Sequence, residues 1–487
     1  MIETLDVKKP LEPRCSYCQY HSDCDRPQLD HEGEIFERCK SFKSQFTEEP
    51  KPEDVAKYIF KDDFFVTTIP DREMLHWNDG IYNPNAEFLI EAKTQLLLDN
   101  KVRNQFIKEV IGQIQRQTYK ERQEFDKEPY LLSVENGVLD LKGCICNEKT
   151  PNFYTLIKIP VLHDEKAECP EIMKFIDNVV HPAYKQTLLE YLATCLVKNY
   201  QYHNFAIISG PTDAGKTTFG SFLKAFFGEE NTIALTINQI TERPFMRAQL
   251  YNKMLNIGDE KAVDIIKQID VIKKLTGNGL VTEDVKHVKN GLTFVNWAKF
   301  WFLMNAIPYA EDLDDAFLNR WLPIMFPNTF LKGDPRRDDH ILEKITKPEE
   351  LSGFLNVLLK ALKDVMQRGY VYCPFSIDEK RDLWNSSSDP YYKFVEECII
   401  FDMTSITTKA DLYTCFIKWV DEKKLPTKEH NVFSREIAKH LIIKGIQDGN
   451  TMIAGKHQRT WAGLRLVTDE ERLKKQKTLD DEEASYT

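Results

Sequence analysis

The stretch that most restricts what this chain can fold into runs from Phe205 to Thr218. Phe205 to Ile208 is an apolar run that reads as a buried strand ending at Gly210. Pro211-Thr212-Asp213-Ala214 lead to Gly215, and Lys216-Thr217-Thr218 open a helical pattern through Phe219, Phe222, Leu223 and Phe226. The spacing is G-x-x-x-x-G-K-[ST], with a strand before it and a helix after it. The chemistry asks for these residue types. Glycines let backbone N–H groups turn inward around phosphate oxygens, and a helix start adds the positive end of its dipole. Lys216 would reach the β- and γ-phosphates of a nucleoside triphosphate, and Thr217 would ligate Mg²⁺. Gly210, Pro211, Thr212, Asp213, Ala214, Gly215, Lys216, Thr217 and Thr218 are the candidate nucleotide-binding residues.

Further along, Met254 to Ile257 is a second apolar run, ending in Gly258-Asp259-Glu260. After a phosphate loop, a strand that ends in paired acids uses one to hold Mg²⁺ and the other to polarise the attacking water. Asp259 is assigned to the metal and Glu260 to the water, and those two roles can be exchanged. A third run, Phe300 to Met304, ends in Asn305. At the carboxyl end of a parallel strand Asn305 points into the ligand crevice and orients the lytic water, or else simply ends the strand as a turn residue. Between these runs Gly277, Gly279 and Asn290-Gly291 predict a hairpin whose tip carries Lys286, His287 and Lys289. Such a tip holds phosphates along a single nucleic-acid strand; a solvated charge cluster is the alternative. Arg320 precedes the apolar Trp321–Ile324 segment. It is either an arginine donated to a neighbouring subunit's nucleotide or a partner of Asp314 or Asp315.

The flanks add less specific signals. Cys15, Cys18, Cys24 and Cys39 cluster in a segment too short for its own apolar core. Four thiolates close a tetrahedral zinc site, with His21 or His31 able to replace one; an iron–sulfur cluster and free thiols are the other readings. Cys144 and Cys146 lack a partner pair and read as structural. Phe64–Ile69 and Met74–Trp77 predict short strands, Glu87–Arg122 and Pro170–Val197 helices, and Val134–Leu141 a tight hairpin. Tyr392–Phe401, Lys409–Glu422 and Ser434–Ile443 read as three helices and Arg459–Leu466 as a closing strand. That pattern predicts a winged helix for duplex DNA or a partner, with Lys439, Lys444, Lys456, Arg459 and Arg465 as candidate phosphate contacts, or else a bare packing domain. Thr468–Thr487 is charged and predicts a disordered tail. A net charge of −11 argues against a general nucleic-acid coat but leaves room for a basic channel. No apolar run approaches the ~18 residues that span a membrane, and Met1–Pro13 lacks a secretory core, so an intracellular, cytoplasmic protein is expected.

The loop, Gly258-Asp259-Glu260, the Lys273–Lys289 block, Phe302-Leu303-Met304-Asn305 and Arg320-Trp321 together resemble the superfamily 3 helicases, in order and spacing most of all the phage, plasmid and poxvirus primase-helicase branch. Val134–Leu141 and Thr155–Val161 resemble the domain ahead of that motor, and Leu351–Gly369 the helical segment that closes it. The resemblance implies an ATPase of the AAA+ class that forms a homo-oligomeric ring, commonly a hexamer, and translocates on single-stranded or forked DNA, typically 3′ to 5′. It places Lys216 and Thr217 in Walker A, Asp259 and Glu260 in Walker B, Asn305 at sensor 1, Lys286, His287 and Lys289 in the DNA-gripping hairpin, and Arg320 in the arginine-finger pair. Asn319 stands where the first arginine of that pair is frequent, Asp213-Ala214 where Asn or Thr is usual, and Gly279 where an acid is common. Only about seventy residues precede the region of resemblance, too few for a primase-polymerase domain, so no primer synthesis by this chain alone is expected and a separate primase or polymerase is the expected partner.

The expected architecture is therefore multidomain α/β. It comprises a Cys-rich zinc segment over 1–50, a mixed α/β and helical domain over 60–190, and a P-loop motor with a central parallel sheet over 191–385. A winged helix over 386–467 and a charged tail over 468–487 complete it. Two alternatives remain for the function: an AAA+ ATPase that remodels protein or nucleoprotein, and an initiator or loader without processive unwinding.

Overall fold

The computed structural model describes residues 49–98, 102–260, 266, 268–283, 292–310, 313–422, 429–453, 456–468 and 471. The cysteine cluster (Cys15, Cys18, Cys24, Cys39), the hairpin-tip residues Lys286, His287 and Lys289, and most of the expected tail lie outside the described residues.

The first unit opens with α1 (Pro52–Ile59) and the strands β1 (Phe65–Ile69), β2 (Met74–Asn78) and β3 (Ile81–Asn83). Helices α2 (Ala86–Leu98) and α3 (Asn104–Gln117) follow, then β4 (Tyr119–Glu121). The predicted helical stretch to Arg122 thus stops short. Thr118 turns its hydroxyl back to the Ile114 carbonyl at 2.9 Å, and Tyr119–Glu121 instead pair in parallel with Thr67–Ile69. Sheet pairing outweighs local helical periodicity there. Next, β5 (Leu131–Val134), β6 (Gly137–Asp140) and β7 (Ile145–Asn147) form the expected tight hairpin plus one more strand. Pro170–Val197 is two helices rather than one, α4 (Pro170–Val179) and α5 (Lys185–Thr194). The break falls at His181-Pro182, because a residue before proline is driven into extended backbone.

The centre is a five-stranded sheet in the order β14-β8-β13-β10-β9, parallel throughout. Its strands are β8 (Phe205–Ser209), β9 (Thr232–Ile233), β10 (Leu255–Glu260), β13 (Lys299–Met304) and β14 (Trp321–Met325). Phe205–Ile208 and Phe300–Met304 are buried almost completely. Near-continuous apolar runs are what a parallel sheet covered on both faces requires. Helix α6 (Lys216–Phe227) packs Phe219, Phe222, Leu223 and Phe226 on one face of it. Beyond β9 come α7 (Ile237–Glu242) and α8 (Pro244–Arg247), and after β10 comes α9 (Ile269–Leu275). The predicted hairpin is present as β11 (Leu280–Glu283) and β12 (Leu292–Val295). Helix α10 (Asp315–Arg320) leads into β14; α11 (Ile341–Ile345) and α12 (Pro348–Arg368) follow, and Gly369 at φ +84° ends α12 in the left-handed region. A buried ion pair joins the early strands to this unit. Lys198 Nζ meets Asp126 Oδ1 at 2.7 Å, and Thr155 donates to the same oxygen at 2.5 Å.

Helix α13 (Ile377–Ser388) links to the last unit: α14 (Pro390–Cys398), β15 (Ile399–Thr408), α15 (Lys409–Glu422), α16 (His430–Ile443), β16 (Gln447–Ile453) and β17 (Lys456–Leu466). The strand order is β15-β17-β16. Here the predicted helix over Tyr392–Phe401 is corrected. It ends at Cys398, and Ile399, Ile400 and Phe401 pair with Leu466, Arg465 and Leu464. Three β-favouring residues have a strand to join, and the pairing prevails over the helical spacing. Among the described residues no helix is long and apolar enough to cross a membrane.

Candidate functional site

Register lines up the strand ends that matter. Ser209 of β8 is level with Met304 of β13, and Met304 with Glu260 of β10. Gly210, Asn305 and the carboxyl end of β10 therefore leave the sheet along one edge. The chain runs from β8 out to β9, returns through β10 and β13, and crosses β8 to reach β14. A reversal of that kind opens a crevice at the carboxyl ends of the strands.

The loop between β8 and α6 is shaped by its neighbours. Phe326 donates its N–H to Ser209 O at 2.9 Å. Its own carbonyl passes so close that a Cβ on Gly210 would lie 2.2 Å from it. Asp213 at φ +61° and Gly215 at φ +86° turn the loop into α6. Asp213 is the side-chain-bearing member of that pair, and Asp and Asn are among the few residues that tolerate the left-handed region. The departure from the usual Asn thus preserves the backbone shape. Ala214 is buried, while Thr217 is exposed at the first turn of α6. Lys216 is nine-tenths buried, and its ammonium donates to Gly210 O at 2.7 Å and Pro211 O at 2.6 Å. Burial pulls its pKa below the ordinary lysine value, opposed by the fields of Asp259 and Asp213. The exposed Asp259 at the end of β10 is near enough to the amine for its charge to act on it. Glycine-shaped turns, first-turn amides and a lysine beside two acids suit a polyphosphate with its divalent cation.

Asn305 is exposed one residue beyond β13. A residue that the sequence reading passed over is Asn256, inside the apolar run of β10. It is fully buried, accepts from Leu235 N at 2.8 Å and donates to Leu235 O at 2.9 Å. This pair of bonds fixes the level at which Asp259 emerges. The signal was there: a lone amide in an apolar strand needs a partner when buried.

Arg320 lies elsewhere. It ends α10, and the next residue, Trp321, pairs with Phe205, the first residue of β8. It sits at the amino edge of the sheet, a full strand length of roughly 15 Å from the loop. Its Nη1 donates to Ala316 O at 2.7 Å, and its Nε is buried with no hydrogen-bond partner among the described residues. Of the expected alternative partners, Asp314 stands within the field of Arg320 but makes its ion pair elsewhere. Asp314 accepts from Lys273 at 2.6 Å and Asp315 from Arg381.

The β11–β12 hairpin is anchored at its base. Arg247 of α8 grips Glu283 of β11 through Nε at 2.6 Å and Nη2 at 3.1 Å, and its Nη1 donates to Ile240 O and Thr241 O at 3.1 and 3.2 Å. In the last unit, several candidate phosphate contacts already have partners. Lys439 pairs with Glu436 at 2.8 Å, Arg465 with Glu471 at 2.7 Å, and Lys444 stands 5.9 Å from the Phe401 ring. Lys456 and Arg459 are exposed on β17.

Comparison with known proteins matches two families to this chain. One, described as D5 N terminal like, covers residues 62–181, and the other, a family of unknown function (DUF5906), covers 208–320. The second begins within β8 and ends on Arg320. The chain is 24% identical over 326 residues to "Putative helicase L207/L206" of Acanthamoeba polyphaga mimivirus, an alignment covering 60% of this chain and 33% of that protein. It is 22% identical over 292 residues to "Putative helicase V13" of Sputnik virophage, covering 56% of this chain and 36% of that one. The matches thus span about a third of each relative. Among solved structures, the apo NrS-1 C-terminal region covers 85% of this chain and 100% of that one, at 14% identity and a TM-score of 0.46.

Proposed function

We propose that this chain is a primase-helicase of the phage and viral superfamily 3 type, an ATP-dependent, ring-forming DNA helicase moving 3′ to 5′ along one strand for a viral, phage or plasmid-like replicon; its match to the D5 N terminal like family and its similarity to two putative viral helicases support the reading. The observation that carries this reading is the common level of Ser209, Met304 and Glu260, which brings the phosphate loop, Asn305 and the Asp259-Glu260 pair to one sheet edge. The edge takes ATP at the loop. Lys216 exchanges its two loop carbonyls for phosphate oxygens. Mg²⁺, held by Thr217 and Asp259, supplies charge neutralisation when bound. Glu260 takes the proton of the attacking water and Asn305 orients that water. Arg320, at the far edge of its own sheet, serves the nucleotide of a neighbouring subunit. The β11–β12 hairpin carries Lys286, His287 and Lys289 towards the DNA backbone.

The test is ATP hydrolysis and displacement of a strand from substrates with a single 3′ or 5′ tail. DNA should stimulate hydrolysis, displacement should need the 3′ tail, and Lys216→Ala should abolish both. ATPase activity indifferent to DNA would sink the helicase reading. A remodeller of protein complexes is the second reading, and the engaged state of Lys439 and Arg465 favours it, since those cations are satisfied within the chain. Replacing Lys286, His287 and Lys289 with alanine separates the two. A helicase loses DNA binding and unwinding, whereas a remodeller keeps its DNA-independent action on partners.

A further inference from the structure

The loop after β14 brings cations against the phosphate loop from the same chain. Phe330 donates its N–H to the Asp213 carbonyl at 3.0 Å. The Phe330 carbonyl in turn accepts from Arg337 Nη1 at 3.1 Å, and the Arg336 guanidinium lies 5.5 Å from the centre of the Phe330 ring. One phenylalanine thus connects the backbone of the phosphate loop to two arginines. Asp213 is the residue that makes this connection informative. It is an exposed carboxylate in a loop built for anions, and by Coulomb's law it repels any polyphosphate seated beside it. Lys216 already stands in that field, and a second cation that offsets it would strengthen binding at the loop.

Arg337 is placed to be that cation. Its Nε pairs with Asp339 at 2.7 Å, which raises its pKa, and the field of Asp213 adds to the same effect. Arg336 is instead committed to Asp334, bonded through Nε at 3.2 Å and Nη2 at 2.9 Å, with its backbone N–H on the same carboxylate at 2.8 Å. Only one of the two therefore couples to Asp213. The pairing with Asp339 is an exposed one, and an exposed arginine exchanges such a partner at little cost.

We propose that Arg337 is a nucleotide-binding residue acting within its own chain, offsetting Asp213 and drawing the polyphosphate of a nucleoside triphosphate onto the loop. This rests on the reading of the Gly210–Thr218 loop as a nucleotide site. The site then has two arginines of different origin: Arg337 from the chain that holds the loop and Arg320 from its neighbour. Arg337 sets affinity, and it needs no ring to do so.

The experiment titrates a fluorescent ATP analogue with Mg²⁺ into the full chain and four variants: Lys216→Ala, Arg337→Ala, Arg337→Lys, and Arg337→Ala combined with Asp213→Asn. Loss of one partly exposed charge pair should weaken binding about three- to fivefold in Arg337→Ala. Arg337→Lys, which keeps the charge, should stay close to the parent. The double variant should recover most of the loss, because the repelling carboxylate is gone. Parent-like binding by Arg337→Ala overturns the proposal, as does an equal loss whether residue 213 is Asp or Asn. Failure of the parent to bind, or parent-like binding by Lys216→Ala, overturns the underlying reading of the loop instead. A thermal melt of each variant separates lost affinity from lost fold.

Discussion

Single residues around the loop show how little freedom the backbone has there. Gly258 precedes the proposed catalytic acids, and a Cβ on it would stand 2.4 Å from the Leu235 carbonyl and 3.0 Å from the Phe302 ring. The first contact is backbone that Asn256 already clamps from its other side. Gly258→Ala must displace β10 and should cost about 1–3 kcal/mol, as overpacking of well-packed sites does. A denaturation midpoint unchanged from the parent would show that β10 has slack and that Asn256 does not hold it. Asp213 teaches a related lesson. From the sequence it is a departure beside the second glycine; in the structure its φ of +61° explains it, since Asn and Asp serve the same left-handed corner. The charge, not the shape, is what the exchange alters.

Among the elements, the β11–β12 hairpin is the part whose role depends most on its attachment. Its base is held by the Arg247–Glu283 pair, where both side chains are largely buried, at 14% and 7% exposed. Removing one partner of such a pair leaves a buried charge unmatched, at about 3–5 kcal/mol. Because Arg247 also ties up carbonyls near the end of α7, the base of the hairpin is joined to the helices beyond β9. Glu283→Ala should therefore reduce stimulation of ATPase by DNA several-fold while ATP binding stays near the parent. Full stimulation in that variant would mean that the hairpin does not transmit through Arg247. This attachment was invisible in the sequence, where Arg247 and Glu283 are ordinary surface residue types. The hairpin itself was legible, from its glycines and Asn290-Gly291; the end of α14 was not, because Ile399–Phe401 suit either a helix or a strand until β17 offers a partner.

At the scale of the whole molecule, the parallel sheet separates the two halves of the proposed site. Lys216 follows the carboxyl end of β8, and Arg320 precedes β14 at the amino end. One chain cannot bring them together across its own sheet, so on the proposed reading a complete site draws on two chains. Lys216→Ala and Arg320→Ala should each be inactive alone, while an equal mixture regains part of the ATPase activity. In the mixture some interfaces pair an intact Lys216 with an intact Arg320 from the other variant. A mixture no more active than its components would refute the shared site. Size-exclusion profiles of both variants check that assembly survives, which matters because the buried Arg320 Nε lies close to the core.

The Gly210–Thr218 loop, the three apolar strands and the polar residues that end them are all legible in the amino-acid order. These signals are local: a glycine spacing, an apolar run, an acid at its close. Only the tertiary structure decided how they meet. Strand order set Asp259 and Asn305 at the sheet edge from which the Lys216 loop leaves and sent Arg320 to the opposite edge. Packing between distant segments brought Phe330 and Arg337 to Asp213, Asn256 to Leu235 and Arg247 to Glu283. Such contacts depend on where each strand is inserted into the sheet, and that is fixed by burial of the whole core rather than by any short stretch of residues.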